Sequence, residues 1–120
     1  MAKTVCKVLG VVFLLVGIAG FASSELMGFH LGPAHNLVHI LSGAIALYLG
    51  FAGSLSAAKM FCLVFGVVYL GLGILGMVMG DASVDRMLNI GPLALGVRDH
   101  GLHILLGVIF LVGGLFTKTP

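Results

Sequence analysis

The chain has 120 residues, of which 60% are hydrophobic and 8% charged, with a formal net charge of +2. A soluble domain carries about 25% charged residues to cover its surface, and the mean hydropathy here is +1.24, so composition excludes a water-soluble globular protein. The small charge, with no basic run interleaved with aromatics, also speaks against nucleic acid as a partner.

A helix needs about 20 mostly apolar residues to cross the hydrocarbon of a bilayer. Four such runs predict helices over about residues 5–22, 34–54, 60–80 and 99–116. Around the first, Lys3 and Lys7, the apolar stretch to Gly20 and the small residues Ala22, Ser23 and Ser24 have the outline of a signal peptide. The same segment recurs inside the chain, which argues for a retained helix. The second run opens at Gly32-Pro33, and proline is favoured in a first helical turn. Ser54 to Lys59 reads as a short polar turn before the third run. A longer loop spans about 81–98, and Asp99 is a suitable N-cap for the fourth run. The expected fold class is an all-α, integral membrane four-helix bundle within a single membrane domain, residues 1–120.

The chain repeats itself. Val8-Leu9-Gly10-Val11-Val12-Phe13-Leu14 corresponds to Val64-Phe65-Gly66-Val67-Val68-Tyr69-Leu70, and Cys6, Gly17 and Gly20 correspond to Cys62, Gly73 and Gly76. Farther on, His39-Ile40-Leu41-Ser42-Gly43 corresponds to His103-Ile104-Leu105-Leu106-Gly107, and His35-Asn36 to Asp99-His100. Each unit, about 5–54 and about 60–116, is a transmembrane hairpin. An even number of spans per unit makes the repeat parallel, about an axis along the membrane normal. Lys3, Lys7, Lys59 and Lys118 fall on the side of the termini, whereas Glu25, Asp81, Asp85 and Asp99 fall on the other. The positive-inside rule then places both termini in the cytoplasm and the protein in the inner (cytoplasmic) membrane.

Many of the 19 glycines lie within the helices. Gly10, Gly17, Gly66 and Gly73 share faces at heptad spacing; Gly43, Gly50, Gly107 and Gly114 lie on faces shared with His39 and His103. Small residues on one face let helices approach closely in lipid, where packing drives association. These stripes are expected to line the bundle interior or an interface with a partner.

Two motifs carry a family resemblance: His35-Asn36-Leu37-Val38-His39 and Asp99-His100-Gly101-Leu102-His103, each followed by a glycine and paired with a Gly-Val-Val-Phe/Tyr-Leu helix. Nearly the whole chain resembles the bacterial family called domain of unknown function 4383. The resemblance implies four membrane helices and no particular activity. In that family the second motif more often has asparagine where this chain has His100, a departure at one candidate position.

All five histidines fall on the outward half. His35 and His39 are one helical turn apart, as are His100 and His103. If the repeats are related by a two-fold axis, His39 and His103 are symmetry mates that face the axis from opposite sides. Such a pair suits a haem or other tetrapyrrole, with Gly43 and Gly107 leaving room for the flat ring and Arg86 or Arg98 pairing with its propionates. It suits copper or zinc equally. His35 and His100 would support either ligand. The plainer reading makes the histidines interhelical hydrogen-bond partners and Asn36 and Asp99 helix caps. Met27, Met77, Met79 and Met87 near the outer face, with Cys6 and Cys62 at the inner end, outline a copper(I) path, although methionine is also a common gap-filler.

No nucleophile elbow or phosphate-binding loop occurs. No carboxylate lies mid-membrane, where proton-coupled transporters usually place one. The expected function is therefore non-enzymatic: an accessory or structural membrane protein that associates with itself or with other membrane proteins. The alternative is a histidine-ligated cofactor protein.

Overall fold

The computed structural model describes residues 1–23, 32–81, 83, 86–90 and 93–118. Ser24, Glu25, Met27, His30 and Asp85 lie outside that set. Four helices run in order: α1 (Ala2–Ala22), α2 (Pro33–Phe51), α3 (Leu55–Met79) and α4 (Val97–Leu115). Each is long and apolar enough to cross a membrane. The protein is a multi-pass membrane protein.

Local chemistry explains the helix boundaries. Gly32 caps α2, with Pro33 in its first turn. Ser54 does not lie in a turn that runs on to Lys59. Its hydroxyl accepts from the Ala57 amide at 3.1 Å, so α3 begins at Leu55. The fourth helix begins two residues ahead of Asp99, with Gly96 as its N-cap. Asp99 sits one turn in, and its carboxylate reaches back to accept from the Gly96 amide at 2.8 Å. The free N–H groups of a helix start are satisfied in either arrangement.

Between α3 and α4 the chain forms a short antiparallel hairpin, β1 (Leu88–Ile90) with β2 (Leu93–Leu95), with Leu88 opposite Leu95. Arg86, just before it, has φ of +48°, a left-handed conformation that costs roughly 1–2 kcal/mol for a residue with a Cβ. It is held at both ends. Its guanidinium donates to the Met77 carbonyl at 2.9 Å, and its own carbonyl accepts from His100 Nε2 at 2.8 Å.

The closest packing lies within each hairpin, α1 on α2 and α3 on α4. The glycines make it possible. A Cβ on Gly10 would meet Leu47 at 2.9 Å, and one on Gly66 would meet Leu111 at 2.6 Å. Gly17 faces Ile40 as Gly73 faces Ile104; Gly43 faces Leu14 as Gly107 faces Leu70. Gly50 lies on Lys7 and Gly114 on Leu63. Each of these four contacts in the first hairpin thus recurs at the repeat-related position of the second. All eight glycines face the paired helix of their own hairpin.

The two hairpins meet over a core that includes Phe13, Phe61, Tyr69 and Phe110. At one end the Ala2 amide donates to Thr117 Oγ1 at 2.8 Å, and Lys59 Nζ donates to the Thr117 carbonyl. Both termini and the α2–α3 turn therefore share one end of the bundle. The histidines lie toward the other.

Candidate functional site

Two pairs of repeat-related polar side chains lie between the hairpins. At the end that holds the termini, Cys6 and Cys62 are fully buried, with Sγ atoms 3.9 Å apart. Each thiol also faces a carbonyl of the opposite hairpin: Cys6 that of Ala58 at 4.0 Å, and Cys62 that of Ala2 at 3.7 Å. Ala2 and Ala58 are themselves repeat mates, so the contact is reciprocal, as a two-fold axis between the sulfurs requires.

Farther along, Phe13 and Tyr69, also repeat mates, have ring centroids 5.6 Å apart. Each supports one histidine. Phe13 stacks on His39 at 5.5 Å with an interplanar angle of 11°, and Tyr69 packs on His103 at 5.3 Å. The Tyr69 and Ser42 hydroxyls interact beside them. His35 completes the cluster, its ring 4.3 Å from His39 and 6.0 Å from His103. His39 and His103 are 4% and 3% exposed, and Nδ1 of each is buried without a hydrogen-bond partner.

The structure brings together three of the four histidines expected at the site. His100 turns instead into its own hairpin. Its ring lies against Gly76, and Nε2 donates to the Arg86 carbonyl. Its repeat mate Asn36 lies against Gly20, the mate of Gly76. This position in each hairpin fills a notch on the preceding helix, so His100 does not support the cluster as His35 does. Repeat alignment contained that signal, because it pairs His100 with an asparagine. Phe13 and Tyr69 were not expected at the site; their alignment across the repeat was the signal for them.

The room expected for a flat ring is not there. A Cβ on Gly43 would meet the Gly10 carbonyl oxygen at 2.8 Å and the Leu14 nitrogen at 3.0 Å, and Gly107 is closed in the same way by the Leu70 backbone. Those glycines face their own hairpin, while Phe13, Tyr69 and Phe110 fill the space between hairpins. Arg86, expected to meet propionates, is bonded to Met77. The residues present do not fit a tetrapyrrole. Among the described methionines Met77 and Met79 are exposed on the outer surface of α3, and do not lead toward the axis. No group of three or more His, Cys, Asp or Glu side chains among the described residues stands in metal-holding geometry as placed.

The family described as "Domain of unknown function (DUF4383)" matches residues 3–116, nearly the whole chain. The chain belongs to this family. Comparison with curated proteins and with solved structures gives no match. The family assignment agrees with the fold and says nothing of chemistry, which rests on the residues themselves.

Proposed function

We propose that the protein is a non-catalytic membrane protein that binds one transition-metal ion, copper or zinc, at His35, His39 and His103. The observation that carries this reading is the pair of buried, unpartnered Nδ1 atoms on His39 and His103. Leaving such an atom unsatisfied costs about 1–3 kcal/mol, and an intramembrane ionisable residue points to function by default. The spacing supports a small ion. Imidazoles bound through metal–nitrogen bonds of about 2.0–2.1 Å have ring centres roughly 5 Å apart. The ring separations of 4.3 and 6.0 Å bracket that value.

Purification from native membranes in mild detergent, followed by metal analysis, tests this reading. Near-stoichiometric metal that is lost in the His39→Ala/His103→Ala double variant supports it. Metal-free protein that also fails to take up zinc or copper in titration argues against it.

A second reading, association with copies of itself or with a larger membrane complex, is favoured by the outward faces. Val64, Val67, Gly71, Ile74 and Val78 form an exposed ridge on α3. Its counterpart on α1 has Leu15 in place of the notch at Gly71. A notch and a knob at equivalent depth suit helix–helix packing in lipid. Blue-native electrophoresis of wild type and Gly71→Ile decides the point; a monomer under several mild detergents counts against association. Lys3, Lys7, Lys59 and Lys118 support a cytoplasmic location for both termini in the inner membrane. Reporter fusions at each terminus and at the α3–α4 loop test that orientation.

A further inference from the structure

We propose that Cys6 and Cys62 form a second, separate metal site, specific for a soft monovalent ion, copper(I). The proposal does not rest on the histidine cluster. The two sulfurs come from different hairpins, are fully buried and point at one another across the axis that relates the repeats. The thiols lie at 3.9 Å, hydrogen-bond distance. Two metal–sulfur bonds of about 2.3 Å span up to about 4.6 Å when linear, so an ion replaces the thiol proton with a bent S–metal–S angle or with the sulfurs parted by up to roughly 0.7 Å. A disulfide would instead require the sulfurs to close to about 2.05 Å.

The donor set selects the ion. The sulfurs have carbonyl oxygens as their other neighbours, those of Ala2 and Ala58. In a helix such a carbonyl already accepts the amide four residues on. Zinc in a structural site takes four ligands, and hard cations prefer oxygen. Thiolate donors select copper(I). Binding releases one thiol proton to solvent for each sulfur that coordinates as a thiolate. No electron changes hands, since copper enters and stays in the monovalent state. Ala2 and Ala58, one turn nearer the end, are fully buried and close the site toward solvent.

The test is an anaerobic titration of the full-length protein in detergent with copper(I), against a chromophoric copper(I) chelator. Wild type and His39→Ala/His103→Ala are both expected to take up one equivalent assigned to sulfur, with two copper–sulfur bonds by X-ray absorption. Cys6→Ser and Cys62→Ser are expected to lose that equivalent, with affinity down at least 100-fold. Circular dichroism of each variant controls for folding; where a serine variant does not fold, Cys6→Ala/Cys62→Ala takes its place. Retention of the copper–sulfur signal in folded cysteine variants overturns the proposal. So does a folded wild type that takes up no copper on sulfur.

Discussion

Adding a single methyl group at Gly43 tests whether the glycine faces hold each hairpin together. In Gly43→Ala the new Cβ would lie 2.8 Å from the Gly10 carbonyl oxygen and 3.0 Å from the Leu14 nitrogen. Both are main-chain atoms of α1, so no rotamer change relieves the overlap. Restoring an ordinary contact of 3.4 Å requires α1 and α2 to part by about 0.6 Å at that level, and overpacking of this kind costs about 1–3 kcal/mol. Gly101→Ala is the control. A Cβ there meets nothing within 4 Å, and alanine gains up to about 1 kcal/mol in helix propensity. Unfolding in mixed micelles of rising denaturing-detergent fraction, followed by circular dichroism, measures both. The expected order of stability is Gly101→Ala at or above wild type, and Gly43→Ala below it. Equal stability of wild type and Gly43→Ala would refute the reasoning. Unchanged monomer stability with a changed oligomer distribution would show that the face meets a partner instead.

Three further outcomes are expected. His39→Phe keeps the stack on Phe13 and removes an unpartnered nitrogen, so metal-free protein should gain about 1–3 kcal/mol; a loss of stability in the same unfolding assay would mean that the imidazole is structurally bonded. Asp99→Ala removes the acceptor for the Gly96 amide and should cost about 1 kcal/mol, with faster hydrogen exchange at Gly96, while Asp99→Asn keeps an acceptor and most of the stability. Ser54→Ala should cost a similar amount and speed exchange at the Ala57 amide; unchanged exchange there would place the start of α3 later than Leu55.

The four spans were legible because a membrane helix writes itself as an unbroken apolar run, and the hairpins were legible because Val8 to Leu14 returns as Val64 to Leu70. The ends of helices were less so. Lys59 interrupts the apolar run without interrupting the helix, since lysine is a good helix former. An aspartate that caps from within the first turn reads in sequence like one that caps from outside. The β1–β2 hairpin lies within two three-residue strands, too short for alternation to register. For the glycines, spacing fixes which face is small, and only the folded chain shows which helix fills it. The histidines were found by type and spacing. That His35 joins the pair on the axis while His100 turns toward Arg86 depends on helix rotation, which a one-dimensional pattern does not encode.

The two polar pairs have one property in common that bears on assembly. Tight glycine packing makes each hairpin a self-contained piece, and the plane between the pieces is where both the His35–His103 contact and the Cys6–Cys62 pair are completed. Neither hairpin alone has both members of either pair. Anything bound at these positions would act as a clasp that fastens the two halves, and its presence would register as resistance to their separation. Chains cut in the α2–α3 turn and expressed as two fragments would display that grip directly, because their reunion depends on what the seam holds.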